Sequence, residues 1–374
     1  MALSKVNPNF VSQLGRRNLI INGDMRIAQR GTGAFTANSS FPVDRWNIIS
    51  NATDFTTTQD SAVPTGKGFT NSIKIQPTAT KSPSASTYSR IGYSIEGYDG
   101  VSLCWGTSGA KTATISFWVK SSVTGTYSIC VKNGAANKSV VQDYTISVAD
   151  TWEYKTITIP PETSGTWDSV NGRFAYIDIW LAGQGSQTST TGSWISSNAN
   201  MSNNQVNFFS STSNTFNITG FQFEVGSVAT PFEHRSFGEE LAACQRYFYT
   251  PQYNLGTSSN QYACNYIVST GNNGWITWIV PFPVPMRANS TFSHSLTNAK
   301  TVGSAAPGNG VDGWSFYVQN QGYTGISGNG DMSTLSGDGK YQGVVGTYYV
   351  SPSSTSCSHI LVGNGCTFQF NAEL

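Results

Sequence analysis

Charge is scarce in this chain. Of its 374 residues only 11% are Asp, Glu, Lys or Arg, and the net charge is +1. An ordinary soluble domain carries about a quarter. No basic stripe is visible, which excludes the usual electrostatic footprint of a nucleic-acid binder. Lys5, Arg16 and Arg17 are too sparse for that role; they read either as a solvated tail or as a dock for an acidic partner. Long apolar runs are also missing. None reaches 18 residues, so no transmembrane helix and no membrane insertion are expected. The opening segment MALSKVNPNFVSQLGRRN lacks the apolar centre of a signal peptide, so secretion by the standard route is not expected.

Catalytic signatures are absent too. There is no G-x-S-x-G, HExxH, phosphate-binding loop or dinucleotide fingerprint. The three histidines, His234, His294 and His359, stand far apart and in no metal spacing. A glycosidase needs two carboxyls at a set separation, and among 20 Asp and Glu no local arrangement singles out a pair. The expectation is a protein that is not an enzyme. Coiled-coil heptads and internal repeats are missing as well.

Aromatic residues are abundant, with 10 Trp, 17 Tyr and 20 Phe, and Gly, Ser, Thr and Asn fill most of the space between them. So many aromatics argue against disorder. Strands tolerate Thr while turns use Gly and Asn. Strict alternation marks the strands. In Lys111–Lys120, Ala113, Ile115, Phe117 and Val119 share one face, opposite Thr112, Thr114, Ser116 and Trp118. In Arg173–Leu181, Ala175, Ile177, Ile179 and Leu181 oppose Phe174, Tyr176, Asp178 and Trp180. Tyr127, Ile129 and Val131 form a third such face, and Ile157 with Ile159 a fourth. Repeated short strands between turn signals indicate an all-β, antiparallel sandwich. The Gly/Ser/Thr/Asn stretch at Gly183–Asn204 reads as a surface loop.

Four segments follow. Residues 1–17 are a frayed terminus or an arm that orders on a neighbouring subunit. Residues 18–235 form the sandwich. Residues 236–248 form a coupling helix: Ser236 and Glu239 have capping-box spacing, and Phe237, Leu241, Cys244 and Phe248 make one stripe for core packing. Residues 249–374 form a smaller C-terminal β-domain. Its strands are expected at Gly274–Val280, Ser315–Val318, Val344–Val350, Ile360–Val362 and Cys366–Phe370.

The opening NLIINGDMRIAQRGT at Asn18–Thr32, DRW at Asp44–Trp46 and FQFEVGSVATPFEHRSFGEELAACQRY at Phe221–Tyr247 together resemble phage tail-fibre and other virion surface-fibre proteins. The resemblance implies a jelly roll like that of carbohydrate-binding modules. It implies a virion protein on the tail or capsid surface, assembled in the host cytoplasm and released by lysis. It further implies attachment to other virion subunits through the N-terminal arm, a homotrimer that multiplies weak contacts, and a host surface polysaccharide as ligand. Two alternatives stand beside this: a capsid or tail cement protein without glycan binding, and a glycan depolymerase.

Of the six cysteines, Cys104, Cys130, Cys244, Cys264, Cys357 and Cys366, none forms CxxC. Free buried thiols are the adopted reading for a chain that folds in a reducing cytosol, with Cys357–Cys366 across a hairpin as the candidate disulfide.

Pyranose rings stack on Trp and Tyr, and amides or carboxylates bind their hydroxyls. Trp118, Tyr176 and Trp180, flanked by Asp178, would form a ligand platform if their two strands lie side by side in one sheet. The competing reading buries the same rings in an interface, and makes Asp178 a hydrogen-bonding residue on a wet sheet face. The resemblance also implies a structural calcium near the first and last strands, where Asn22, Asp24 and Glu224 offer oxygen ligands. The alternative is that Asn22-Gly23-Asp24 simply makes a turn. No other cofactor is expected.

Overall fold

In the computed structural model, side chains are described for residues 16–51, 54–84, 88–184, 190–251, 282–288 and 369–374. The backbone is described in addition for strands lying between 267 and 368. Two compact units divide the chain between Cys244 and Gln245.

Unit one is an antiparallel β-sandwich of jelly-roll type. Its strands are β1 (Ser40–Val43), β2 (Trp46–Ser50), β3 (Phe55–Asp60), β4 (Ser72–Pro77), β5 (Ser89–Glu96), β6 (Ala113–Ser121), β7 (Gly125–Asn133), β8 (Ser139–Ile146), β9 (Glu153–Ile159), β10 (Arg173–Ala182) and β11 (Phe216–Val225). Six of them form a sheet in the order β1-β2-β5-β10-β7-β8, and five form the other in the order β3-β4-β11-β6-β9. The alternating apolar residues of both sheets meet between them. Ile115, Phe117 and Val119 from β6 lie in one core with Ile177 and Ile179 from β10 and Ile129 and Val131 from β7. Phe117 stacks on Phe221 at 5.4 Å and meets Tyr144 edge-on at 5.1 Å.

The segment 18–27 fastens the sandwich shut. The Leu19 amide donates to the Phe223 carbonyl at 2.9 Å, and the Phe221 amide to the Gly23 carbonyl at 2.8 Å. Trp46 is fully buried against Phe221 at 5.0 Å and Tyr93 at 4.8 Å, and its indole N–H donates to the Asn22 carbonyl at 3.0 Å. The three sequence segments that carried the family resemblance thus pack on one another. They form an architectural seam.

Helix α1 (Phe237–Gln245) starts with the capping box that the sequence spells out. The Ser236 amide donates to Glu239 Oε2 at 3.0 Å, and the Glu239 amide to Ser236 Oγ at 3.3 Å. The apolar stripe is different from expectation. Phe237 is 57% exposed, with the Arg26 guanidinium 6.0 Å from its ring, and Phe248 belongs to a strand. Cys244 and the carboxylate-bearing Glu240 are the helix's buried residues. Glu240 turns inward because Arg235 pairs with it at 3.3 Å and the Asn22 amide donates to it.

Unit two contains β12 (Phe248–Tyr249), β13 (Ile267–Val268), β14 (Trp275–Pro281), β15 (Thr291–Leu296), β16 (Trp314–Val318), β17 (Gly322–Thr324), β18 (Gln342–Tyr349), β19 (Cys357–Val362) and β20 (Cys366–Asn371). They form three antiparallel sheets, β12-β20-β15, β13-β14-β18 and β17-β16-β19. Strands β19 and β20 go to different sheets, so Cys357 and Cys366 do not flank the hairpin expected of them; their side chains lie outside the described residues. Cys104 and Cys130 are free thiols, and Cys130 and Cys244 are buried. Among the described residues no helix is long and apolar enough to cross a membrane.

Candidate functional site

The four residues expected to form one platform are divided by the fold. Trp118 lies on β6 of the five-stranded sheet, whereas Tyr176, Asp178 and Trp180 lie on β10 of the six-stranded sheet. All four point away from the core, but from opposite sides of the sandwich. Alternation fixes the face of each residue; it carries no information on which sheet receives the strand.

Trp180 is fully buried. The segment 190–206 crosses the outside of β7, β8 and β10 and forms a small second core there, in which Cys130, Val141, Ala199 and Met201 surround Trp180. A backbone bridge between Ser139 and Ile195 and the Cys130 thiol donating to the Ala199 carbonyl at 3.1 Å hold this cover down. Burial pushes the Cys130 thiol up to about 12. A Gly/Ser/Thr/Asn composition thus disguises a segment that acts as a lid over a sheet face.

Asp178 is not on a wet face. It is fully buried between two cations, with Arg90 Nε 3.0 Å from Oδ1 and Lys132 Nζ 2.8 Å from Oδ2. Lys132 also donates to Asn200 Oδ1 at 2.8 Å, and Arg90 lies 5.3 Å from the Trp180 ring. Tyr176 is half-buried beneath the Arg173 guanidinium, which sits 4.1 Å from its ring centre and donates to its hydroxyl. The Asp178 ion pairs and the Lys132–Asn200 hydrogen bond stitch the cover to the sheet.

The proposed calcium ligands are spent on separate partners. The Asn22 amide donates to the Ile27 and Asp44 carbonyls at 2.9 Å each and accepts from the Ile27 amide at 2.9 Å. Glu224 accepts from the Thr230 amide at 2.9 Å and the Thr230 hydroxyl at 2.6 Å. Asp24 pairs with Arg26 at 2.5 Å, and burial holds its carboxyl above the ordinary carboxylate range against that cation. Asn22, with φ of 58°, makes a structural turn. The three residues therefore do not fit a shared cation site. Among the described residues no group of three or more His, Cys, Asp or Glu is arranged around a metal position.

Trp118 stands in a different setting. It pairs across the sheet with Thr219 on β11 and with Tyr154 on β9. The Trp118 and Tyr154 rings lie 5.3 Å apart at 44°. Trp118 is half-buried and Tyr154 is 44% exposed. Beside them on β9, Thr156 and Thr158 are exposed and pair with Ser116 and Thr114. The result is a sheet edge carrying two tilted rings and two exposed threonines, while Thr114, Ser116 and Thr219 further in are buried. Tyr154 was not singled out by the sequence reading. Its signal was the alternation Tyr154, Thr156, Thr158 opposite Ile157 and Ile159. Next to this face, Phe69, Phe232 and His234 cluster, with His234 ring contacts of 5.3 Å to Phe69 and 4.9 Å to Phe232.

No protein-family model matches the sequence, and no curated protein matches it. Solved structures resemble part of the chain in fold. The enzymatically active domain of bacteriophage CBA120 tailspike protein 4 is 16% identical over 56% of this chain, with a TM-score of 0.32. The chain spans 21% of that domain. TmCBM61, solved with β-1,4-galactotriose, is 11% identical over 56% of this chain and is covered completely, with a TM-score of 0.31. The family 11 carbohydrate-binding module from Clostridium thermocellum, solved with a mixed-linked tetrasaccharide, is 13% identical over 54% of this chain and 99% of its own, with a TM-score of 0.28.

Proposed function

We propose that this chain is a non-catalytic glycan-binding subunit of a virion surface fibre, and that the five-stranded face of unit one is where the glycan lies. The observation that carries this reading is the Trp118–Tyr154 pair, half-buried and 44% exposed respectively, beside the exposed Thr156 and Thr158 on the sheet edge. Two aromatic rings offer the apolar face of a pyranose a place to stack, and Thr156 and Thr158 offer hydrogen bonds to its hydroxyls. A wet, flat site with few direct contacts gives weak binding per copy. Several copies on one particle raise the effective affinity, which agrees with the trimeric, host-adsorbing fibre implied by the sequence resemblance. The absence of turnover is part of the proposal: Asp178, the carboxylate flanking Tyr176 and Trp180, is held between Arg90 and Lys132.

The test is a glycan array with the purified chain, followed by titration calorimetry on any hit. Trp118→Ala and Tyr154→Ala should each weaken binding while the melting transition stays in place. Undiminished binding by folded variants would reject this face, and product release from the glycan would reject the non-catalytic reading.

A further inference from the structure

The rings of the five-stranded face are bordered by lysines that have no carboxylate partner among the described residues. Lys67 Nζ lies 5.3 Å from the centre of Trp118, and Lys120 Nζ lies 5.6 Å from the centre of Trp152. Lys120 pairs across the sheet with Asn217, which pairs in turn with Lys74. Adjacent strands lie about 4.8 Å apart, so Lys74 and Lys120 stand about 10 Å from each other across Asn217. Their row is two residues along the strands from the row of Thr219, Trp118 and Tyr154, a step of about 7 Å. That is the scale of one sugar unit.

Most acids nearby are engaged elsewhere, while Asp150, whose amide donates to the Ser121 carbonyl at 2.8 Å, is exposed at the Lys120 end of the face. Asp60 Oδ1 accepts from the Ala62 amide at 2.7 Å, Glu224 faces Arg17 at 3.6 Å, and Glu153 faces Lys155 at 2.5 Å. In a chain with so few charges, three lysines along one face, without a carboxylate partner among the described residues, give that face a positive bias. Charge complementarity of this kind sets which partner binds more than how tightly an average one does.

We infer that this face selects a polysaccharide bearing carboxylate groups. The inference rests on the glycan-binding reading above and adds the charge of the ligand. A sugar ring stacked on Trp118 and Tyr154 would present its carboxylate to Lys67 on one side or to the Lys74–Lys120 row on the other. These cations are exposed or half-buried, so the selection weakens with salt.

The experiment uses the full chain and three acidic probes, polygalacturonate, alginate and polysialic acid, each beside its carboxyl-reduced neutral form. Affinity is measured at about 0.05 M and about 0.5 M NaCl. At least one acidic polymer should bind about tenfold tighter than its neutral form at low salt, and the gap should close at high salt. A Lys67→Gln, Lys74→Gln, Lys120→Gln variant should lose the gap while keeping the residual binding that depends on Trp118. Should the triple variant not fold, the three single variants carry the same comparison. Equal binding of acidic and neutral forms, or a preference that survives the lysine changes, overturns the charge selection and leaves the glycan reading intact. No binding of any polymer, with Trp118→Ala indistinguishable from the parent, overturns both.

Discussion

The Phe69 ring occupies the space that a side chain on Gly220 would need: a Cβ built there lies 2.5 Å from Phe69 Cζ. Gly220 has φ of 61° and sits at the irregularity in the β11–β6 pairing between Thr219 and Gln222. This bulge changes which residues face the core. Before it Phe216 and Ile218 point inward; after it Phe221 and Phe223 do. Gly220→Ala incurs the left-handed backbone penalty, roughly 1–2 kcal/mol, and drives a methyl into the ring. A total loss of about 2–4 kcal/mol in the unfolding free energy of unit one is expected by chemical denaturation. Pairing it with Phe69→Ala should recover part of that loss, because the two positions share one space. Strict additivity would mean that the ring does not press on Gly220.

Asp178 anchors the outer face of the six-stranded sheet. Removing its carboxylate leaves Arg90 and Lys132 facing each other in a buried site. Breaking such a pair costs about 3–5 kcal/mol, mostly the penalty of uncompensated charge. Asp178→Ala should therefore lower the denaturation midpoint strongly. Glycan binding by the fraction that remains folded should be unchanged, since Trp118 is on the opposite side of the sandwich. A stable Asp178→Ala variant that no longer binds glycan would place the site on this face instead.

The strands themselves were legible because one-in, one-out alternation survives in β6, β7 and β10, and the helix start was legible because Ser236 and Glu239 keep their spacing. The pairing of strands was not. Trp118 and Trp180 sit at equivalent points of two similar patterns, yet β6 and β10 belong to different sheets, a matter settled by contacts between strands distant in sequence. The segment 190–206 was misread for a related reason. Its polar composition says loop, but Ala199 and Met201 are enough to bury Trp180 once the chain crosses the sheet. The Gly220 parity change was readable in FNITGFQF, where the apolar positions skip a beat at the glycine.

Acid should loosen the seam that holds segment 18–27. Burial alone would raise the Glu233 carboxyl, but the amides of Asn18 at 2.8 Å and Arg17 at 3.1 Å, with the Arg235 guanidinium, hold it below its ordinary 4.5. A carboxylate held down in the folded state is protonated more readily in the unfolded chain. Its contribution is present above pH 4.5 and is lost as pH falls through the lower folded value. Asp24 acts in the opposite sense, since burial raises it and protonation relieves that cost. Glu233→Gln should flatten the fall in stability below pH 4.5 in a series of denaturation curves. An unchanged slope would mean that Glu233 titrates alike in both states.

Two tryptophans that look equivalent in the sequence should give opposite phenotypes. Trp180 is completely enclosed, and truncating it to Ala leaves a void in the second core, at a cost of about 3–5 kcal/mol. Trp118 is half-buried, with Tyr154 on one side and Lys67 above, so its truncation removes contacts that water can replace. Trp118→Ala should cost about 1 kcal/mol or less and appear instead as lost affinity for glycan. Measuring denaturation and binding on both variants separates the roles. A large stability loss at Trp118 would mean that the ring supports the sheet rather than a ligand, and a binding loss at Trp180 without unfolding would mean that the 190–206 cover opens to admit one.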